Sequence, residues 1–276
     1  MSFKLLNFIC EEEASQILIA ELSAVGFDVF EEREEGFVTS IEVQQYKEAD
    51  LLAIIERYQP LFSLQWEAKE VEKVNWNEEW EKNYEPVIVE NKVHVRATFH
   101  PARQDVQYEI VIHPKMSFGT GHHDTTYLML KNQFDIDHQG KFVYDFGSGT
   151  GILAIMAGLL GAKKIVGNDV DDWCIENAND NLKLNGINAE MHLGTVGELD
   201  FTEKAEIVLA NINKNILMQE MHEYNRLLLP GGTLMLSGFY EEDVKDLKAA
   251  AHKLGLTYRR HEVKNSWTML VFDKSS

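Results

Sequence analysis

The chain has 276 residues, of which 45% are hydrophobic and 26% charged, and this composition excludes wholesale disorder and allows one large domain with a smaller one. The formal net charge is -19, and residues 1–90 alone contain 21 Asp/Glu against 7 Lys/Arg. A field of this sign repels phosphate backbones, so we expect no direct nucleic-acid binding; it suits either a basic protein partner or solubility alone.

The cysteines and the apolar segments indicate the compartment. Cys10 and Cys174 are the two cysteines of the chain, and their spacing suits neither a zinc site nor a disulfide framework. The apolar stretch at 3–10 runs directly into three glutamates, unlike a secretory signal, and the nearly apolar run at 152–162 is too short to span a bilayer. We therefore expect a cytoplasmic protein with reduced thiols and no membrane partner.

The first 70 residues predict a small α+β domain. Residues 3–10 are β-prone, and residues 12–25 carry apolar side chains at helical spacing. A second β-prone stretch includes residues 38–43, and a second helix is predicted over residues 49–58. We interpret this front as strand, helix, strand, strand, helix, an order that suits a ferredoxin-like domain.

A connecting region is predicted over residues 71–90. Trp76, Trp80 and Tyr84 are spaced four apart, so a helix would place them on one face. Such a face packs on a neighbouring domain or stacks on a ligand, and packing is the simpler interpretation.

Residues 91–276 form the predicted third region, in which two β-prone stretches are followed, from about Gly119, by alternating helix and strand patterns. The alternation predicts a doubly wound α/β sheet with helices on both faces. The last two strands have no helix between them and should form an antiparallel hairpin at one edge. The predicted strands are 92–99, 107–112, 141–146, 164–169, 207–210, 232–237, 257–263 and 267–272, with helices that include 125–133, 171–184, 216–228 and 241–254.

A glycine-rich turn, Gly147-Ser148-Gly149-Thr150-Gly151, follows a predicted strand and precedes a helix. Glycines at such a turn allow the backbone to approach a ligand closely. The spacing is G-x-G-x-G, which departs from the dinucleotide pattern G-x-G-x-x-G. The turn alone is weak evidence, because tight turns between strand and helix often contain glycine for geometry.

Asp169 strengthens the case for a nucleoside ligand. It ends the next predicted strand, 22 residues after Gly147. In a doubly wound sheet, an acid at this place can accept hydrogen bonds from both ribose hydroxyls. The alternative is that Asp169 only caps the helix that begins near Asp171.

Asn211 falls just past the end of the following parallel strand, where ligands bind in such sheets. Its amide could accept a hydrogen bond from a substrate amine and orient the nitrogen lone pair. The alternative is a turn or helix-capping role, which the neighbouring Asn213 could also fill.

Residues 118–126 form a further loop, Phe-Gly-Thr-Gly-His-His-Asp-Thr-Thr. Asp124 is a plausible N-cap for the helix predicted after it. The sequence His122-His123-Asp124 could suggest a metal, but three adjacent residues rarely converge on one ion. We predict no metal site.

Together these segments resemble the ribosomal protein L-11 methyltransferase family (PrmA). The resemblance covers nearly the whole chain, most firmly residues 115–240. It rests on the 118–121 loop with the following Thr125-Thr126 pair, the run from Asp145 to Ile155, Asp169, the Ala-Asn-Ile segment at 210–212 and the Pro-Gly-Gly turn at 230–232.

The resemblance implies a class I methyltransferase fold, in which a Rossmann-like sheet with an antiparallel edge hairpin follows the ferredoxin-like domain. It also implies S-adenosylmethionine as cofactor. Thr126, Gly147, Asp169 and Asn211 match the family's cofactor-binding positions, and Phe118 matches an aromatic residue near the cofactor.

Gly149 lies in the same glycine turn and is a further cofactor-binding candidate. The implied substrate is ribosomal protein L-11, methylated at lysine side chains and at the α-amino group, with the acidic front domain presenting it. Asn211 would position the amine. The segments Gly121-His122-His123-Asp124 and Asn211-Ile212-Asn213-Lys214 depart from the family's usual Gly-Thr-His-Pro and Asn-Ile-Leu-Ala.

Two other classes of function remain open from the residues alone. One is an N-methyltransferase for another protein, a small molecule or a nucleic-acid base, although an adenine-directed enzyme favours Asn-Pro-Pro-Tyr where this chain has Asn-Ile-Asn-Lys at 211–214. The other is a nucleotide-binding oxidoreductase or a binding module without catalysis.

Overall fold

The structure is a computed structural model, and it describes residues 2–27, 29–33, 35–72, 84–114 and 117–275. The chain divides into two compact units, Met1–Tyr84 and Glu85–Ser276. Within the described ranges, none of the helices is both long and apolar enough to cross a membrane. The helix predicted around Trp76 and Trp80 lies outside the described residues.

The first unit has the strand and helix order of a ferredoxin-like domain. Its elements are β1 (Ser2–Ile9), α1 (Glu12–Ala24), β2 (Val29–Arg33), β3 (Gly36–Glu42), α2 (Glu48–Tyr58) and β4 (Gln65–Glu72). They form a four-stranded sheet in the order β2-β3-β1-β4, in which β1 pairs antiparallel with both β3 and β4. Leu6 and Phe8 of β1 pack against Leu18 and Leu22 of α1, so each element contributes one apolar face to this core.

The second unit contains the remaining strands and helices. The strands are β5 (Val87–Val89), β6 (Val93–Ala97), β7 (Tyr108–Ile112), β8 (Phe142–Phe146), β9 (Lys164–Asp169), β10 (Glu190–Leu193), β11 (Ala205–Asn211), β12 (Leu228–Tyr240), β13 (Leu256–Lys264) and β14 (Trp267–Lys274). The helices are α3 (Asp124–Gln133), α4 (Ile152–Leu159), α5 (Asp172–Leu184), α6 (Lys214–Leu227) and α7 (Val244–Lys253), with a short 3₁₀ turn (Glu241–Asp243) before α7.

The large sheet has seven strands in the order β10-β9-β8-β11-β12-β14-β13. Strands β8 to β12 run parallel, and β14 pairs antiparallel with both β12 and β13, which confirms the predicted edge hairpin. The chain winds outward from β8 in one direction and from β11 in the other. The carboxyl ends of these two neighbouring strands therefore form the switch point at which such sheets bind ligands.

Side chains of β8 divide between two cores, one on each face of the sheet. Val143 packs with the apolar sides of α3, α4 and α5 and with the small sheet β5-β6-β7. Phe142, Tyr144 and Phe146 point to the opposite face and pack with α6 and α7. This burial on both faces explains the nearly continuous apolar run of the strand.

The predicted division at residues 70 and 90 differs from the observed one. Strand β4 extends to Glu72 and pairs with β1 along its length, so the sheet of the first unit crosses the boundary predicted at residue 70. Strand β5 lies inside the predicted connector and pairs with β6. The second unit therefore begins at Glu85.

Candidate active site

A cavity of about 550 Å³ lies at the carboxyl ends of β8, β9 and β11, where the topology places a ligand. It is lined by Phe118, His123, Thr125, Gly147, Gly149, Asn168, Asp169, Val170, Asp171, Trp173, Cys174, Thr195, Asn211, Ile212, Asn213, Ile216, Glu220, Gly238 and Trp267. Five of the six residues expected to bind the cofactor are among them, and Thr126 is not.

The turn after β8 needs glycine at two positions. Gly147 has φ +70°, and a Cβ there would lie 2.3 Å from Cγ2 of Ile212. Gly149 has φ +53°, and its Cβ would lie 2.3 Å from the carbonyl oxygen of Phe118. Both positions combine left-handed backbone with no room for a side chain, so only glycine fits.

The Phe118 loop is hydrogen-bonded to this glycine turn. The backbone N–H of Thr150 donates to the carbonyl of Phe118 at 2.9 Å. The Thr150 hydroxyl donates to the carbonyl of Gly119 at 2.7 Å. The Phe118 side chain is half exposed at the cavity, and its ring centroid lies 5.2 Å from that of His123. The two segments therefore form one continuous wall of the cavity.

Asp169 is held by two backbone amides. Its Oδ2 accepts from the N–H of Gly149 at 2.8 Å, and its Oδ1 accepts from the N–H of Asp171 at 3.2 Å. Asp171 is the N-cap residue of α5 but makes no side-chain capping bond. Asp169 thus supports the start of α5 and also lines the cavity, where each carboxylate oxygen keeps a lone pair for a ligand.

Asn211 presents an unsatisfied acceptor at the cavity. Its side chain is buried, and its Nδ2 lies 3.5 Å from the hydroxyl of Thr126, which is fully buried behind it. Its Oδ1 has no hydrogen-bond partner among the described residues. A buried carbonyl oxygen without a partner costs free energy, so this atom is suited to accept from a donor on a bound ligand. The neighbouring Asn213 caps α6 by accepting from Ile216 N–H at 3.2 Å, as its position suggested.

Asp145 lies behind the glycine turn, and its environment could not be seen from the sequence. It is fully buried, and its Oδ2 accepts from the N–H of Ala154 at 3.1 Å, so it ties β8 to α4 across the glycine turn. Burial, with a smaller contribution from the charge of Asp169, raises the pKa of the Asp145 carboxyl to about 7.

The residues 122–124 do not converge on a common point. The His123 ring accepts from Thr125 N–H at 3.3 Å and caps α3, so the N-cap predicted at Asp124 is wrong by one residue. Asp124 instead bonds to Lys264 and to Asn265 Nδ2 on the turn between β13 and β14. This ion pair forms because the hairpin packs beside α3, which local pattern cannot reveal.

Three aromatic rings from distant segments pack together beside the cavity, and two of them, His123 and Trp267, line it. The His123 ring lies edge-on to Trp267 with centroids 4.6 Å apart. Trp267 also stacks on Tyr240 at 4.1 Å and 29°. Trp267 begins β14, and nothing in its local sequence marks it as a site residue.

One group in the described part of the chain has ligand atoms close enough to hold a metal ion. It consists of Asp169, Asp171 and Cys174, whose atoms lie within 4.8 Å of one another. Both oxygens of Asp169 already accept backbone hydrogen bonds. The absence of a metal site stays a prediction, and chelation tests it.

Comparison with known proteins places these features in a family. Residues 5–275 match the family model described as ribosomal protein L11 methyltransferase (PrmA). A ribosomal protein L11 methyltransferase of Porphyromonas gingivalis is 43% identical over 269 residues, which is 96% of this chain and 92% of the relative. One from Bacteroides fragilis is 37% identical over 266 residues, 95% of each chain.

Solved structures support the fold. A crystal structure of ribosomal protein L11 methylase from Lactobacillus delbrueckii subsp. bulgaricus has a TM-score of 0.64 at 24% identity, covering 70% of this chain and 100% of that one. A methyltransferase from Pyrococcus furiosus has a TM-score of 0.52 at 19% identity, covering 60% of this chain and 90% of that one. The chain therefore belongs to the ribosomal protein L11 methyltransferase family and is an S-adenosylmethionine-dependent methyltransferase.

Proposed function

We propose that the protein transfers methyl groups from S-adenosylmethionine to amines of ribosomal protein L11, namely lysine side chains and the α-amino group. Relatives that match over 92–95% of their length carry this substrate in their names. The observation that supports an amine acceptor most directly concerns Asn211, a residue that lines the cavity and whose buried Oδ1 lacks a partner among the described residues.

The residues of the cavity fit a cationic cofactor. Three carboxylates line it, those of Asp169, Asp171 and Glu220, and none of its described lining residues is a lysine or an arginine. Such a lining favours a sulfonium and an ammonium over anionic groups. When bound, S-adenosylmethionine supplies an electrophilic methyl group on its sulfonium sulfur, which an amine nitrogen accepts as the carbon–sulfur bond breaks.

Each predicted site residue has a proposed part in holding this cofactor. Asp169 accepts from the ribose hydroxyls, and the glycines at 147 and 149 permit close approach of the methionine end. Phe118 covers that end from the neighbouring loop. Thr126 does not line the cavity, and its proposed part is to hold the Asn211 side chain, because its hydroxyl accepts a hydrogen bond from Asn211 Nδ2.

Asn211 would orient the attacking amine. A lysine ammonium has a pKa of about 10.4 and must lose a proton before its nitrogen can attack. Transfer into a poorly solvated cavity beside a sulfonium lowers that pKa, and the proton can leave to solvent. The remaining N–H then donates to Asn211 Oδ1, which points the nitrogen lone pair at the methyl group.

Mass spectrometry of a ribosomal protein mixture tests the substrate. The mixture is incubated with the full-length protein and isotope-labelled S-adenosylmethionine, and Asn211→Ala serves as the impaired variant. We expect label on lysines and on the α-amino group of L11. Label confined to RNA, to small molecules or to another protein would overturn this substrate and favour the alternative N-methyltransferases.

We also propose that the first unit binds the protein substrate. It holds most of the negative charge, and a cleft of about 310 Å³ within it is lined by Glu11, Glu12 and Glu35, which are all exposed. An acidic cleft suits a basic protein and should speed association in a salt-dependent way.

Neutralising this cleft tests the second proposal. The triple variant Glu11→Gln, Glu12→Gln, Glu35→Gln should raise KM for L11 several-fold while cofactor affinity stays unchanged. A matched control neutralises three exposed acids of the second unit, for example Glu176→Gln, Asp200→Asn and Glu242→Gln. Equal loss in both variants would mean that net charge, and not this cleft, governs recognition.

A further inference from the structure

Glu220 is a carboxylate of the cavity that none of the roles above uses. Asn213, the N-cap residue of α6, and Ile216 and Glu220 within that helix all line the cavity. Their spacings of three and four residues place them on one side of the helix. The other two lining carboxylates, Asp169 and Asp171, come from the end of β9 and the residues just after it. Glu220 therefore supplies acceptor oxygens from a separate element.

The carboxylate of Glu220 is anchored to the strand that carries the glycine turn. The hydroxyl of Tyr224 donates to its Oε2 at 2.7 Å. Tyr224 is fully buried, and its ring stacks on Phe146 with centroids 5.2 Å apart at 19°. In the described part of the chain, no salt bridge neutralises Glu220. Its charge is thus held in place and remains available to a ligand.

Contacts of Phe146 indicate the end of the cavity that Glu220 faces. Phe201, in the connection from β10 to β11, contacts the same Phe146 ring at 6.1 Å. Arg226 of α6 donates to the carbonyl of Phe201 at 2.9 Å, so α6 lies alongside this connection. Thr195 lines the cavity from the start of the same connection.

That connection adjoins the proposed ribose site. The backbone N–H of Gly194 donates a hydrogen bond to the backbone carbonyl of Asp169 at 2.8 Å. Thr195 is the next residue in the chain and therefore lies close to Asp169. The wall that combines Thr195 and Glu220 therefore lies beside the nucleoside end of the cavity. His123 packs on Trp267 and on Phe118, the residue proposed to cover the methionine end.

We propose that Glu220 accepts a hydrogen bond from the exocyclic amine of the adenine ring of S-adenosylmethionine and so selects adenine over a 6-oxo purine. The apolar side chain of Ile216, one helical turn before Glu220, also lines the cavity and offers van der Waals contact for a base. The amine of adenine donates to a carboxylate, whereas a 6-oxo group would place its oxygen against the carboxylate charge. The inference rests on the proposed cofactor site, because it takes Asp169 as the ribose contact.

Calorimetric binding of two neutral-sulfur ligands tests the inference. S-adenosylhomocysteine and its 6-oxo counterpart S-inosylhomocysteine are titrated into the wild-type protein, Glu220→Gln and the control Glu223→Gln. Glu223 is an acid on the same helix that pairs with Arg226 and does not line the cavity. Thermal unfolding of each variant shows that it is folded.

We expect the wild-type protein and Glu223→Gln to prefer the adenine ligand by about 10- to 150-fold, the range for a hydrogen bond to a charged group. In Glu220→Gln the preference should fall to within about threefold, because an amide can either accept or donate. Tyr224→Phe keeps the carboxylate but removes its anchor, so an intermediate preference is expected.

Unchanged discrimination in a folded Glu220→Gln would overturn the inference. If that variant instead raises KM for the protein substrate while discrimination is retained, Glu220 contacts the acceptor amine and the adenine role is wrong. A wild-type protein that binds neither ligand would overturn the cofactor site itself, which distinguishes failure of the proposed site from failure of the role of Glu220.

Discussion

Replacing Asp169 by alanine should weaken cofactor binding without unfolding the protein. The carboxylate accepts from the N–H groups of Gly149 and Asp171, and the ribose hydroxyls are its proposed ligand partners. Loss of hydrogen bonds to a charged group costs about 1.5–3 kcal/mol, which corresponds to a dissociation constant raised about 10- to 150-fold. The freed Gly149 amide adds about 1 kcal/mol of lost stability, because it also loses its acceptor.

Isothermal titration with S-adenosylhomocysteine measures the first effect, and thermal unfolding without ligand measures the second. Asp172→Ala is the matched control, since Asp172 is exposed in the first turn of α5 and does not line the cavity. An affinity that is unchanged in a folded Asp169→Ala protein, or reduced equally in the control, would refute the ribose assignment.

Three further predictions follow from the structure. Asp145→Asn should stabilise the protein at pH 8 and change little at pH 4. Burial raises the pKa of the Asp145 carboxyl from 3.8 to about 7, so the wild-type protein loses stability as the pH rises from about 4 to about 7. An equal change in melting temperature for Asp145→Asn at pH 4 and at pH 8 would contradict this. Single-turnover methylation should accelerate from about pH 6 to 9, because the amine must be neutral, and a flat profile with rate-limiting chemistry would argue against an amine acceptor. Turnover should survive chelation by EDTA; loss that zinc or magnesium restores would make the Asp169-Asp171-Cys174 group a functional metal site.

The elements proposed to hold the cofactor could be predicted from local sequence. The glycine turn follows β8, and Asp169 and Asn211 are the last residues of β9 and β11. The winding of the sheet brings the ends of these parallel strands together. Their residue types also match the chemistry required at each strand end, namely close approach, ribose contact and amine orientation. Local pattern and topology therefore agree at this part of the molecule.

Elements at sheet edges were harder to predict. Strand β4 was missed because half of its residues are charged and residues 67–70 are all exposed, so it shows no clear apolar alternation. Strand β10 has four residues at the edge of the large sheet, too few to establish a period. Pairing with β1 and with β9 creates these strands, and such pairing is tertiary information.

The remaining cavity walls depend on packing between distant segments. In the sequence, Glu220 resembles an ordinary charged position on an amphipathic helix, and its proposed role emerges only from the contacts of Tyr224 with Phe146. Trp267 reaches the cavity because β14 lies next to β12 and so brings its ring to Tyr240. Neither contact can be recognised from the residues that neighbour it in the sequence.

The cavity is built from two sets of segments, and this separation has an evolutionary consequence. The contacts proposed for the cofactor come from β8, β9 and the turns that follow them, whereas the β13–β14 hairpin reaches the same cavity through Trp267. The hairpin is joined to α3 through Asp124 and Asn265 at its turn. Changes in the hairpin can therefore accumulate while the cofactor end is conserved, so descendants of such a chain could acquire new acceptors and keep the same methyl donor.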